Sequence, residues 1–234
     1  MSHEHTTLAG WRFWKRPLLA LVALGLAMSV TGCGIVGLGT TKGSGSVKAE
    51  SRAVSGFTRV RLSGAGILNI AQTGTESLTI SAEDNLLPVL TSDVSDGTLT
   101  LGVKQGQSIS PTKPITYTLT VKQLTAFDLS GAASINAVNI KTDTLTISCS
   151  GAGAMTVTGS AQSQSVTISG SGSYNAREFQ TADSTVKISG IGSATVSASQ
   201  TLNATISGAG SVTYYGSPKV SQSVSGAGSI KQGK

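Results

Sequence analysis

The sequence predicts an all-β protein whose single domain is a parallel β-helix (β-solenoid) with coils of about 18–20 residues. A Ser-Gly motif recurs through the C-terminal half, and its first glycines fall at positions 131, 151, 170, 190, 208 and 226. Each repeat holds two short runs in which apolar and polar residues alternate, the pattern of a β-strand. No helical periodicity follows the N-terminal apolar segment, and a propeller blade would need about 40–45 residues per repeat.

Residues 1–32 read as a lipoprotein signal peptide. Three basic residues precede an apolar run, Leu18 to Val30, that is too short to span a membrane. The run ends in Val30-Thr31-Gly32-Cys33, which resembles a bacterial lipobox, although Leu is more usual than Val at its first position. The resemblance implies a lipid on Cys33, cleavage after Gly32 and N-acylation with fatty acids such as palmitate. The alternative is a plain signal peptide with a chance cysteine.

The predicted cleavage restricts the available chemistry. Both histidines and both tryptophans lie in the leader, so the mature chain has no Ser-His-Asp triad and no imidazole ligand for a metal. We predict no cofactor and no metal. The mature chain carries 14 basic and 10 acidic residues, a net charge of +4, and the basic residues are dispersed. This pattern does not favour a nucleic-acid partner.

Residues 33–52 are predicted to be a lipid-anchored flexible tether, because the segment after Cys33 is rich in Gly, Thr and Ser. The alternative is that this segment pairs with the first strands of the domain. Gly34 stands where an inner-membrane retention signal would place Asp, so we expect sorting to the outer membrane if the host has two membranes. The β-helix domain itself is predicted to cover residues 53–234.

The first half of the domain lacks the glycine signature. Short alternating runs there are interpreted as further coils with longer excursions; they are Val60/Leu62, Leu78/Ile80, Leu99/Leu101 and Leu119/Val121. We expect a loop or short helical turn from Glu83 to Leu90. Asp96-Gly97 is a turn signal.

Stacked coils place equivalent residues in columns about 4.8 Å apart. Two of these columns are mostly apolar, so we expect them inside. The first comprises Leu62, Leu129, Cys149, Ile168, Ile188, Ile206 and Val224; the second comprises Leu68, Ile135, Met155, Tyr174, Ala194, Val212 and Ile230. The residues between them are mainly Ser, Thr, Asn and Lys, and these are predicted to face outward.

The glycines of the Ser-Gly corners are expected either to adopt positive φ or to permit close approach of successive coils. Gly190→Val should therefore destabilise the fold, since a β-branched residue resists positive φ. Ala133 replaces the second glycine of one corner, which should be less strained or differently turned.

The chain resembles the GIN-domain family. The resemblance lies in Phe57-Thr58-Arg59-Val60, Ser63-Gly64-Ala65-Gly66, Glu83-Asp84-Asn85-Leu86-Leu87, Asp96-Gly97-Thr98-Leu99 and the trailing Ser-Gly repeats, over roughly residues 50–230. That family is described as a candidate head domain of autotransporter adhesins. It implies a parallel β-helix-like fold and no established enzymatic activity, and no functional residues are carried over from it.

Three sets of residues are candidates for chemistry. Cys149 is the only thiol left after lipidation, and its place in an aliphatic column favours a core role over a nucleophile. Glu83, Asp84, Asp93 and Asp96 could bind a cation or act as acid and base; the alternative is turn chemistry and solubility. Tyr214-Tyr215 could stack on a sugar, or could cap the end of the solenoid.

The sequence thus predicts a lipid-anchored cell-envelope protein that acts as a non-catalytic adhesion, binding or structural module. The protein is expected to contact the membrane through the lipid on Cys33. An envelope glycan or surface protein could bind the outward Ser/Thr/Asn ladders. The alternative is that these ladders only solvate the sheet. Two other functions remain open: a polysaccharide lyase or hydrolase, and a scaffold whose coils stack end to end between chains.

Overall fold

The protein is described by a computed structural model, which covers residues 39–234. The predicted signal peptide, the lipobox and Cys33 lie outside the described residues. None of the helical structure in the described part is long and apolar enough to cross a membrane. Apart from a 3-10 turn at Leu87–Val89, the regular structure consists of strands. The strands are β1 (Thr40–Lys42), β2 (Val47–Arg52), β3 (Arg59–Leu62), β4 (Ala65–Gln72), β5 (Ser77–Glu83), β6 (Leu90–Ser95), β7 (Thr98–Val103), β8 (Ser108–Ser110), β9 (Thr116–Val121), β10 (Ala126–Leu129), β11 (Ala132–Cys149), β12 (Ala154–Ile168), β13 (Ser173–Ile188), β14 (Ser193–Ile206), β15 (Ser211–Tyr215), β16 (Lys219–Val224) and β17 (Ser229–Gln232).

The C-terminal half is the predicted solenoid of parallel coils. Between β11 and β12, residues 134–137 pair with 154–157, residues 140–142 with 159–161, and residues 144–149 with 163–168. Each long strand therefore bends and contributes three parallel runs to one coil. Every pairing from β10 to β17 is parallel, so the predicted fold class is confirmed.

The two apolar columns line the interior with one exception. Both columns are buried from the first coil to β14 and β15. Val224 is 43% exposed, so its predicted burial is wrong. It lies on β16, which pairs with β14 on one side and has no strand on its other side among residues 39–234. Ile230 on β17 is half-buried for the same reason.

The interior also holds a polar network that the sequence pattern did not reveal. The Tyr174 hydroxyl donates to Gln164 Oε1 over 2.9 Å, and Gln164 Nε2 donates to Ser184 Oγ over 2.7 Å. Thr181 and Ser184 lie within hydrogen-bond distance of each other, and all four residues are buried. The network satisfies polar atoms that would otherwise be costly to bury.

The corner glycines serve close approach of the coils. A Cβ added at Gly151 would lie 2.0 Å from the carbonyl oxygen of Gly131, and one added at Gly190 would lie 2.2 Å from that of Gly170. Gly190 does not have a positive φ, so the reason given above for the effect of Gly190→Val is wrong. The glycine is required because backbone from the previous coil occupies the space of its side chain.

Residues 73–124 form a cap on the first coil. Strands β7 and β9 extend the stack in parallel, β7 beside β3 and β9 beside β4. Strands β5 and β6 then turn back antiparallel to β9 and β7. The prediction that the early runs form further coils is therefore correct in strand direction for β7 and β9, which run parallel to the coils. It is wrong for Leu78/Ile80, because β5 runs antiparallel. The expected turns are present: Asp96 and Gly97, with φ of 50° and 70°, join β6 to β7, and a 3-10 turn follows β5.

The prediction of a flexible tether is wrong for residues 40–52. Strand β1 pairs in parallel with β8, and β2 pairs antiparallel with β5. The alternative, that this segment joins the first strands, is what the described residues show. The folded domain therefore begins before residue 53.

Candidate functional site

Glu83 is the most heavily bonded carboxylate of the candidate acidic group. Its side chain has no solvent-exposed surface. It accepts hydrogen bonds from the backbone N–H groups of Gly45 (2.7 Å), Thr112 (2.8 Å) and Lys113 (3.3 Å), and from the Thr112 hydroxyl. These donors, the Thr112 hydroxyl first, hold the pKa of Glu83 below its ordinary value in spite of desolvation.

The two residues after Glu83 contact residues 42–46, the N-terminal segment that contains Gly45. Asp84 accepts a hydrogen bond from the Ser44 hydroxyl at 2.6 Å and forms an ion pair with Lys48 at 3.4 Å. The Ser44 bond is the largest cause of its lowered pKa, followed in the same direction by Lys48. Asn85 donates to the Lys42 carbonyl oxygen at 2.8 Å. Residues 83–85 thus clamp residues 42–46 against the cap.

The candidate acidic residues are not arranged as a set of metal ligands in the described part of the chain. Asp93 lies on β6 and Asp96 in the hairpin turn, and residues 39–234 contain no group of three or more His, Cys, Asp or Glu side chains arranged to hold a metal ion. A carboxylate with a lowered pKa and several fixed donors is a weak base and a poor proton donor. The geometry favours a structural role, and the sequence missed it because the partners Gly45 and Thr112 lie 38 and 29 residues away from Glu83.

Cys149 lies in the interior, as predicted. Its thiol is buried and free, and burial raises its pKa. A Cβ on Gly172, in the next coil, would fall 2.5 Å from Cys149 Sγ, so the sulfur fills the space that this glycine leaves open. The thiolate is the reactive form of cysteine, and its formation is suppressed here.

One ring of the predicted aromatic pair, that of Tyr215, is covered by neighbouring groups. The Arg177 guanidinium lies over the Tyr215 ring at 4.4 Å from its centroid, a cation–π geometry. Gly233 N–H donates to the Tyr214 carbonyl oxygen at 2.8 Å, and a Cβ on Gly233 would collide with the Tyr215 ring. This arrangement favours capping of the last coils over sugar stacking.

Outward side chains form hydrogen bonds from coil to coil. Asn136 donates to Asn69 Oδ1 at 3.0 Å, and the Thr144 and Ser163 hydroxyls lie 3.0 Å apart. The ladders therefore satisfy part of their own hydrogen-bonding capacity. What they offer a ligand is the remaining hydroxyl and amide groups on a rigid surface.

A polar cleft lies where the first two coils meet the connection from β9 to β10. Its volume is about 480 Å³, and its wall combines hydroxyl and amide groups with apolar surface; its lining residues are Thr58, Arg59, Gln123, Thr125, Ala126, Thr142, Asp143, Thr144 and Thr146. A second depression continues it along the solenoid and shares Gln123, Thr142 and Asp143. Such a wall can donate and accept many hydrogen bonds, and the single carboxylate of Asp143 lacks the second carboxylate of a glycosidase pair.

A smaller apolar pocket of about 230 Å³ lies under the segment around β8. Its apolar wall includes Leu90, Val103, Ile109, Ile115 and Tyr117. Burial raises the pKa of Tyr117 to about 12. The pocket can hold a few methylene groups but presents no ionised group.

Comparison with protein families identifies one match. Residues 56–218 match the family described as "Putative auto-transporter adhesin, head GIN domain". No curated protein matches the chain.

Solved structures share the fold. A "putative adhesin" from Bacteroides fragilis is 22% identical with a TM-score of 0.68, over 82% of this chain and 99% of that one. A "putative lipid binding protein" from Parabacteroides distasonis is 21% identical with a TM-score of 0.53, over 84% and 100%. A "putative adhesin" from Parabacteroides merdae is 22% identical with a TM-score of 0.51, over 83% and 99%.

Proposed function

This chain belongs to the family described as "Putative auto-transporter adhesin, head GIN domain", and from that membership we propose that it is a non-catalytic adhesion module held at the cell envelope by a lipid on Cys33. The family description supports a surface-associated, adhesion-type protein. The lipid anchor, the absence of catalysis and the ligand are the finer parts of the proposal.

The lipid anchor is supported by the lipobox-like sequence Val30-Thr31-Gly32-Cys33 after the apolar run, and the anchor would lie a short distance along the chain from the first strand. Thr40, the first residue of β1, is seven positions after Cys33. Seven extended residues span at most about 24 Å. A lipid on Cys33 would therefore keep the cap close to the membrane, since β1 and β2 both belong to the capped end.

The absence of catalysis is supported by the state of the acidic residues. A glycoside hydrolase needs a proton donor with a raised pKa and a second carboxylate across the bond that breaks. Glu83 and Asp84 have lowered pKa values and are committed to hydrogen bonds within the cap. The polysaccharide enzyme is accordingly the less favoured alternative.

The polar cleft between Arg59 and Asp143 carries the ligand proposal. Its threonine hydroxyls, the Gln123 amide and one charge of each sign suit a hydroxyl-rich ligand such as an envelope glycan, bound by several modest hydrogen bonds.

The test measures binding and turnover together. The full chain in detergent micelles is applied to an array of envelope polysaccharides, and soluble fragments are followed by chromatography. We expect retention on at least one glycan without fragments, and weaker retention for Thr146→Val in the cleft. The matched control is Thr205→Val, an exposed threonine on β14 far along the stack. Fragment release, or equal retention by both variants, would refute the proposal.

A further inference from the structure

The corner of the cap is much longer than the corners of the coils. In the first coil only Ser63 and Gly64 separate β3 from β4, whereas residues 104–115 separate the corresponding cap strands β7 and β9. The longer connection includes β8, which pairs with β1 in a separate two-stranded sheet. The apolar pocket described above lies between this connection and the corner of the first coil.

This pocket is suited to a chain of methylene groups. Its volume is about 230 Å³, and its wall is mostly apolar, with Val103, Ile109 and Ile115 among its members. Apolar cavities of about 150 Å³ stay dry and bind benzene, so this one has room for the end of an acyl chain. A second depression of about 390 Å³ adjoins it, since Ala65 and Ile115 line both, and it reaches the exposed Lys113.

Three exposed lysines lie on the segments that border the pocket, and we call them the basic rim. Lys42 ends β1 opposite Ser110, Lys104 begins the long connection, and Lys113 lies in the wall of the second depression. None of the three forms an ion pair with another residue in the range 39–234.

The acidic residues of the cap leave the basic rim uncompensated. Three of them form ion pairs with other basic residues; they are Glu50, Glu76 and Asp84. Glu83 is buried, and its carboxylate is held by backbone N–H groups. Asp93 lies on β6 and Asp96 in the hairpin that joins β6 to β7, away from the long connection. The segments around the pocket therefore carry an excess of positive charge.

The same segments are close in sequence to the proposed anchor. Thr41 lies opposite Ile109, which lines the pocket, and Cys33 is eight positions before Thr41. Eight extended residues span at most about 27 Å. A phospholipid with an anionic headgroup matches both features of this surface, because it offers hydrocarbon to the pocket and a negative phosphate to the lysines.

We propose that the cap binds an anionic phospholipid of the membrane at this site, with one acyl chain in the apolar pocket and the phosphate held by the basic rim. Hydrocarbon covers the apolar wall, and the lysines are attracted to the negative surface of the bilayer. The proposal rests on the lipid anchor of the proposed function and adds a second membrane contact, which fixes the orientation of the domain over the bilayer.

Quenching of tryptophan fluorescence by brominated acyl chains tests the contact. The mature chain expected from the sequence has no tryptophan, so one can be introduced as a reporter, and the parent chain supplies the background. Pro114→Trp places the reporter in the wall of the second depression, and Ile191→Trp places a control reporter on an exposed corner of the solenoid. The lipidated full chain is reconstituted in vesicles of brominated phosphatidylglycerol. We expect strong quenching for Pro114→Trp and little for Ile191→Trp; equal quenching of both, or none for Pro114→Trp, would refute the proposal.

A pair of alanine variants tests the pocket itself. Ala65 lines both depressions, whereas Ala132 lies opposite Ala65 on the next strand and is in neither wall; both residues are exposed. Combined with Pro114→Trp, Ala65→Leu should fill part of the pocket and reduce quenching, and Ala132→Leu should leave it unchanged. The same quenching in both variants would show that no acyl chain enters the pocket.

Charge reversal tests the basic rim. Each lysine near an anionic bilayer favours contact roughly fivefold, so Lys42→Glu, Lys104→Glu and Lys113→Glu together should abolish the quenching. The matched control reverses three lysines far along the solenoid and should retain it; these are Lys187, Lys219 and Lys231. Quenching should also be weaker in brominated phosphatidylcholine. Equal quenching in the two lipids, or in the two charge variants, would overturn the assigned headgroup.

Other outcomes separate this inference from the proposed function. If the apolar residues before β1, Ile35, Val36 and Leu38, fill the pocket, the reporter will not respond to brominated lipid, and the proposal falls. Absence of quenching combined with glycan retention by the vesicle-bound parent chain would remove this inference and leave the proposed function intact. A parent chain that is released from vesicles by high salt would instead refute the lipid anchor.

Discussion

Replacing Gly190 by alanine tests the close packing of successive corners. The new Cβ would lie 2.2 Å from the Gly170 carbonyl oxygen, about 1 Å inside the closest usual approach, so the corner backbone must move. That carbonyl accepts a hydrogen bond from Ile191 N–H at 3.1 Å, and Gly190 O accepts one from Ala209 N–H at 3.2 Å. Overpacking costs about 1–3 kcal/mol and a weakened hydrogen bond about 1 kcal/mol, so we expect a loss of about 2–4 kcal/mol.

The measurement is urea unfolding followed by circular dichroism, together with the melting temperature. A loss of that size lowers the Tm of a domain of this length by about 4–16 °C. The control is Ile191→Ala, the adjacent residue, whose side chain is 72% exposed and should change stability by less than about 0.5 kcal/mol. A Tm for Gly190→Ala within 2 °C of the parent, or an equal loss in the control, would refute the reasoning.

Three further predictions concern buried groups. The lowered pKa of Glu83 contributes stability that is complete above the ordinary value of 4.5 and is lost as pH falls through the lower value of the folded protein. The free energy of unfolding should therefore decrease below about pH 4.5, and the decrease should be smaller in Glu83→Gln. Urea titration at each pH measures this free energy. Tyr174→Phe leaves Gln164 Oε1 without its donor and should cost about 1–3 kcal/mol in the same assay, with full stability counting against the network. Thiol titration should detect no reactive cysteine in the folded lipidated protein and one, Cys149, after unfolding; a second thiol would exclude a lipid on Cys33.

Local periodicity was sufficient to predict the coils. Inward residues such as Ile168, Ile188 and Ile206 recur at nearly constant spacing, and parallel stacking converts that spacing directly into register. The same pattern failed at Val224, because a column predicts burial only where another coil lies on each side. It also missed the interior Gln164, which sequence chemistry alone would place outside.

The cap and the carboxylate clamp were beyond sequence reasoning for a different reason. Pairing of β7 with β3 joins residues 39 positions apart, since Leu62 lies opposite Leu101, and no repeat marks it. The antiparallel pairing of β5 with β9 joins residues about 40 positions apart, such as Leu78 and Leu119, and no repeat marks it either. Glu83 looked like a member of a catalytic group, and only its distant donors reveal its role.

The position of the cap in the chain has a consequence for the order of assembly. Strand β3 pairs with β10, whose residues follow 67 positions later, so the N-terminal coil closes only after a long excursion of polypeptide has been placed. From β11 onward each strand meets its neighbour about 20 residues later, and contacts of short sequence separation form faster. We expect the C-terminal repeats to nucleate folding, and the segment synthesised first to be among the last to reach its native state.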